Sequence, residues 1–103
     1  MVSTIGQQIR ELREKAGIPL RKAAVLVDID IAILSKMERG ERKFTKDLII
    51  KLAKLYNAQK DELIIEYLSD IVSYELKDED LAIEVLKVAE KKVEYLKANK
   101  LKK

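Results

Sequence analysis

A chain of 103 residues, 48% hydrophobic and 38% charged, has the size of one domain, or of a small domain with an appendage, and too much apolar material for a disordered tail. It contains no Cys and no His, which excludes a disulfide framework, a thiolate metal site, a cysteine nucleophile and every Ser-His triad. The net charge of +3 is unevenly spread: residues 1–56 carry 12 Lys and Arg against 7 Asp and Glu, and residues 57–103 carry 9 against 11, so the first half is the candidate for meeting phosphate.

Gly and Pro are rare, and apolar residues recur at steps of three and four, so the expected fold class is all-α. Aromatics make up only 5% and Trp is absent, so the core must be aliphatic. The first helix is expected over Thr4–Ala16, capped by Ser3 or Thr4, with the stripe Ile5, Ile9, Leu12 and Ala16 and with Gly17 just beyond its end. The second starts near Pro19, whose fixed φ suits the first helical position, turns Leu20, Ala23, Ala24 and Val27 inward, and ends by Asp28. Asp30 is a good N-cap for the third, which runs from Ile31 to about Arg39 and is stopped by Gly40. The segment GERKF is a loop. Thr45 caps the fourth helix, which buries Leu48, Ile49, Leu52 and Leu55 and is closed by a left-handed Asn57. The fifth starts near Lys60, turns Leu63, Ile64, Tyr67, Leu68 and Ile71 inward, and continues to about Glu75. After the polar break LKDED, Asp78 caps a last helix from about Glu79 to Ala98. Its residues Ala82, Leu86, Ala89, Val93 and Leu96 form a heptad-like seam, widened by Leu81, Val85 and Val88. The tail NKLKK is expected to fray.

Only three or four residues, Asp28, Ile29 and Asp30 among them, separate the second and third helices, which is the geometry of a helix-turn-helix. Around that turn the marks IRELREKAGI, a small Ala24 within the second helix, ILSKMERGER and LIIKLAKLYN follow at fixed spacing. With these marks residues 5–64 resemble the Xre family of helix-turn-helix proteins, the phage Cro and repressor type. The resemblance covers about 60 of the 103 residues. It implies a compact five-helix DNA-binding domain, placed over residues 1–68; residues 69–103, outside the resemblance, are read from their own pattern as a C-terminal helical extension.

Independently of the resemblance, Leu34 and Met37 point inward on the third helix, so Ile31, Ala32, Ser35 and Lys36 lie on the opposite face. In the family that outward face enters the major groove of double-stranded DNA. Ile31 and Ala32 are apolar and suited to thymine methyl groups, although Ile31 can equally fold over the second helix. Lys36 suits guanine O6 and N7 or a phosphate, and Ser35 suits a base, a phosphate or solvent. Arg39, Arg42, Lys43 and Lys46 follow the reading helix and suit the sugar-phosphate backbone, with Arg21 as a further phosphate candidate. In the family the positions of Arg13 and Glu38 form a structural ion pair. The chain departs from the family where Pro19 and Leu20 replace the usual Ser/Thr-Gln, which removes a Gln that contacts DNA. Asp28 stands where Gly is frequent, and Asp28 and Asp30 bring negative charge toward the groove.

A last helix of about 20 residues with a wide apolar face needs a cover, and members of this family read two-fold operators as dimers. The seam Ala82, Leu86, Ala89, Val93 and Leu96 is therefore the expected homodimer interface, with packing on the chain's own core as the other solution. The function expected is that of a transcriptional regulator, a repressor or autoregulator of the restriction-modification controller or phage type. The alternative is an antitoxin whose C-terminal helices bind a toxin. Catalysis is not expected: Asp78, Glu79 and Asp80 are adjacent at a helix start and do not converge on one point. Nothing implies a cofactor, a metal or a small-molecule ligand. No run of about 18 apolar residues exists to span a membrane, and MVSTIGQQIRELRE is no signal peptide, so a soluble cytoplasmic protein is expected.

Overall fold

The computed structural model describes residues 4–101. Among them are six α-helices and no strand: α1 (Ile5–Lys15), α2 (Leu20–Leu26), α3 (Ile31–Glu38), α4 (Lys46–Leu55), α5 (Lys60–Leu76) and α6 (Ala82–Leu101). No helix among the described residues is long and apolar enough to cross a membrane. The chain divides into two compact units after Ile71.

In the first unit, side chains fix the starts of α1, α3 and α4. Thr4 Oγ1 accepts from the Gln7 N–H at 3.2 Å while Gln7 Oε1 accepts from the Thr4 N–H at 3.0 Å, a complete capping box on α1. Ser3, the other cap candidate, lies outside the described residues. Asp30 Oδ1 accepts from Ala32 N–H at 2.8 Å and Ile33 N–H at 3.2 Å, and Thr45 Oγ1 accepts from Leu48 N–H at 3.2 Å. Pro19 is the N-cap of α2 and not its first helical residue, because its ψ of 151° is extended.

Helix ends close through left-handed residues: Gly17 (φ 70°), Asp28 (φ 56°), Gly40 (φ 79°) and Asn57 (φ 53°). Each is followed by an N–H that returns to the preceding helix, as Ile29 does to the Ala24 carbonyl at 2.9 Å and Ala58 to the Ala53 carbonyl at 2.8 Å. Asp28 thus takes the left-handed turn position itself.

The core of this unit is aliphatic, centred on the fully buried Ile9, Leu34, Ile49 and Leu52. Phe44, in the loop before α4, and Tyr56, at the end of α4, are buried with them. Small residues set the close approaches. Ala23 and Ala24 are buried on α2. Gly6 lies so near α3 that a Cβ there would stand 2.6 Å from the Met37 carbonyl oxygen and 2.7 Å from that of Glu38. Ala24 is therefore not the sole small residue that the packing requires.

Helix α5 also fastens α1. Asp70 Oδ2 accepts from the Ile5 N–H at 2.7 Å, and Glu66 Oε2 accepts from Gln8 Nε2 at 3.2 Å. The first turn of α1 has no acidic residue of its own, so Asp70 supplies the negative charge that its N-terminus favours.

Several boundaries and faces differ from the expectations. Ala16 is exposed as the C-cap of α1, beyond the last residue whose side chain faces the core. Leu12, Leu20 and Leu55 are half-buried at the core margin. Helix α3 ends at Glu38, with Arg39 as its C-cap. On α5 only Leu63 is buried, Ile64 and Tyr67 are half-buried, and Leu68 and Ile71 are exposed, because the stripe runs past the core that α1–α4 provide.

In the second unit, the Ala82 N–H donates to the Glu79 carbonyl at 3.2 Å, an i to i+3 turn, so α6 starts at Ala82 and not at Glu79. It runs through Asn99 and Lys100 to Leu101, beyond the expected end at Ala98. Lys100 in the last turn suits the negative end of the helix dipole. The remainder of the expected frayed tail, Lys102 and Lys103, lies outside the described residues. No described side chain of α6 is buried: Ala82 and Ala89 are half-buried, and Leu86, Val93 and Leu96 are exposed.

Candidate nucleic-acid interface

Helix α3 has two unlike faces. Leu34 and Met37 are buried in the core, and Glu38 is buried with them. Glu38 is matched by Arg13 from α1 in a two-point ion pair: Arg13 Nε donates to Glu38 Oε2 at 2.8 Å and Nη2 to Oε1 at 3.0 Å. The third arm, Nη1, donates to the Ile18 carbonyl at 3.1 Å. The pair is nearly out of water, with side-chain exposures of 12% and 4%, and the Glu38 carboxylate raises the Arg13 pKa above its ordinary value. The guanidinium joins α1, the loop before α2 and the end of α3, so it fixes the angle at which α3 is presented.

The opposite face of α3 meets solvent. Ile31, Ala32 and Lys36 are exposed, and Ser35 is half-buried. The Asp30 carboxylate at the start of this helix is committed to the cap, which spends its negative charge on backbone N–H groups. Val25 and Leu26 on neighbouring α2 are also exposed.

Five cations surround this face in the sequence. Arg21 is exposed in the first turn of α2, Arg39 caps α3, Arg42 and Lys43 lie in the loop that follows, and Lys46 opens α4; all are exposed. Among the described residues, Arg21, Lys36, Arg42, Lys43 and Lys46 make no ion pair. Arg39 does: its Nε donates to Glu41 Oε2 at 2.6 Å, and its Nη1 donates to Ser35 Oγ at 2.5 Å. The structure thus joins Ser35 and Arg39 directly and adds Glu41, which lay unremarked in the sequence because one carboxylate in a basic loop carries no periodicity.

The outward face of α3 thus presents apolar and hydroxyl side chains to solvent, with cations at the end of the helix and in the next loop. A protein-family model for a helix-turn-helix domain matches residues 4–63, which span α1–α4 and the start of α5. The chain is also similar to the HTH-type transcriptional regulator ImmR of Bacillus subtilis (strain 168), 33% identical over 90 residues that cover 75% of this chain and 71% of the relative. The chain belongs to the Xre family of helix-turn-helix DNA-binding proteins. In this Xre member α2 and α3 form the helix-turn-helix, with Val27, Asp28, Ile29 and Asp30 between them. Pro19 and Leu20 at the opening of α2 leave no side-chain amide there, and Ser35 and Lys36 are polar side chains on the outward face of α3.

Proposed function

We propose that this Xre-family member is a sequence-specific transcriptional regulator of the cytoplasm, a repressor or autoregulator, that occupies a two-fold operator in double-stranded DNA as a homodimer. The observation that carries the reading is the exposed face of α3, held at a fixed angle by the buried Arg13–Glu38 pair and followed by cations. In this reading Ile31 and Ala32 touch thymine methyl groups, and Ser35 and Lys36 address base edges in the major groove. Arg21, Arg39, Arg42, Lys43 and Lys46 take phosphates and set the register. The relative's description as a transcriptional regulator supports the same assignment.

Dimerisation is assigned to the seam Ala82, Leu86, Ala89, Val93 and Leu96 of α6. Its support is the exposure of Leu86, Val93 and Leu96 in the single chain. The same exposure supports a second reading, in which α6 binds a different protein and the chain is the antitoxin of a toxin–antitoxin pair. Sedimentation separates the two: a dimer at micromolar concentration supports the operator reading, and a monomer well above it moves the seam to a foreign partner.

The experiment that tests the DNA reading is selection of binding sites from a random duplex pool, followed by a salt titration on the winning sequence. A two-fold symmetric consensus is expected. Lys36→Ala should weaken binding to it by roughly 1–3 kcal/mol and relax the preference at one position in each half-site. No enriched sequence, with only weak salt-sensitive binding, would remove the assignment.

A further inference from the structure

The chain reverses sharply after α3. Gly40 takes a left-handed φ of 79°, and the Glu41 N–H donates to the Lys36 carbonyl at 2.8 Å. This closure brings the Glu41 side chain back to the last turn of α3, onto the Arg39 guanidinium. The Glu41 carboxylate raises the Arg39 pKa above its ordinary value through this contact, and the Glu41 carboxyl is drawn below its usual range, first by Arg39 and also by Lys36. Two of the side chains that the proposed function gives to DNA therefore act on one carboxylate.

Resting on that reading, we infer that Glu41 is a built-in competitor for DNA phosphate, seated on Arg39 in the free protein and displaced when DNA binds. Carboxylate and phosphate oxygens take the same planar fork of N–H donors, so the two exclude one another at that end of the guanidinium. The Arg39–Glu41 pair is half in water, with side-chain exposures of 50% and 55%. Pairs of that kind are weak and salt-screened, so a phosphate can replace the carboxylate. Glu41 is not needed to aim Arg39, because Ser35 Oγ already anchors the other arm of the guanidinium from one turn earlier in α3. Loss of Glu41 should then release a cation without losing its position. Phosphate contacts carry no sequence information, so the effect falls on affinity for all duplexes alike.

The test uses the full chain and a labelled random-sequence duplex, followed by fluorescence anisotropy over a salt series. Wild type, Glu41→Gln, Arg39→Gln and the double variant are compared. Glu41→Gln is expected to bind about twofold to tenfold more tightly at low salt, with a salt slope steeper by up to about 0.9, the value of one further neutralised phosphate. In the Arg39→Gln background the same substitution should gain much less. Glu41→Gln binding no tighter than a wild type that does bind overturns the competitor role. An equal gain in both backgrounds overturns it too, since that is a general charge effect. If neither wild type nor Glu41→Gln binds duplex DNA at low salt, the DNA-binding reading falls and this inference with it.

Discussion

In the first unit the described residues build an aliphatic core, cap α1, α3 and α4 with side chains and pair Glu38, the one buried charge among them. Helix α6 differs: it has 20 residues, a heptad-like apolar seam, and not one described side chain that is buried. Both segments are helical and rich in Lys and Glu, so composition does not separate them. What separates them is burial: the first unit has a core of its own, and the described side chains of α6 are exposed or half-buried. The first unit is thus a structure whose stability can be tested residue by residue in a single chain, and the seam of α6 is the part whose burial is proposed to depend on a second one.

The largest effect expected within the first unit comes from the Arg13–Glu38 pair. Arg13→Ala strands a buried carboxylate on α3 and removes the donor to the Ile18 carbonyl. A loss of roughly 3–5 kcal/mol is expected in urea unfolding. A loss below about 1 kcal/mol would mean that Glu38 reaches water and that α3 is held by its apolar face alone. The comparison with α6 would then weaken, since the first unit would owe less to its internal polar contacts.

Gly6→Ala comes next. Alanine would raise the helix propensity of α1 by about 1 kcal/mol. Its Cβ would also meet the Met37 and Glu38 carbonyl oxygens at 2.6 and 2.7 Å, backbone atoms that yield only if α1 and α3 separate. Overpacking is expected to win, with a net loss of about 1–3 kcal/mol by thermal or chemical unfolding. A stabilised variant would show that the two helices slide apart freely. Asp70→Ala should follow at about 1–2 kcal/mol, because it strips the charged acceptor from the Ile5 N–H at the start of α1.

These residues also mark what could be read from the sequence and what could not. Ile9, Leu34, Ile49 and Leu52 announce themselves by helical spacing, and Gly17, Gly40 and Asn57 by their tolerance of left-handed backbone, so the core and the helix ends were legible. The outward face of α3 follows from the inward placement of Leu34 and Met37. Gly6 was not legible, because a glycine inside a helix shows only a propensity cost until the neighbouring backbone is in place. Phe44 was read only as part of the loop GERKF, since one aromatic has no period. Asp70 caps a helix 65 residues away, and Glu41 reaches Arg39 only through the reversal at Gly40. Contacts made by chain reversal or across the fold leave no local pattern. Helical faces do, which is why elements were read more fully than pairings.

The smallest effect at neutral pH concerns Tyr56, whose hydroxyl is buried without a hydrogen-bond partner among the described residues. Burial is the main cause that pushes its pKa up to about 12 from an ordinary 10, with Glu38 adding to the rise and Arg13 opposing it. The folded state therefore keeps the proton after the unfolded chain has lost it. Titration of this group leaves stability independent of pH below about pH 10 and lowers it between about pH 10 and 12, by up to about 1.4 kcal/mol for each pH unit. Tyr56→Phe removes the titration and the orphaned hydroxyl together. At neutral pH the variant should be unchanged or more stable by up to about 1 kcal/mol, and its unfolding free energy should stay flatter than that of wild type in the alkaline window. Parallel alkaline curves for the two proteins would mean that the phenol reaches solvent. That result would place a wet channel beside Arg13 and Glu38, in the region where the first unit is otherwise closed to water.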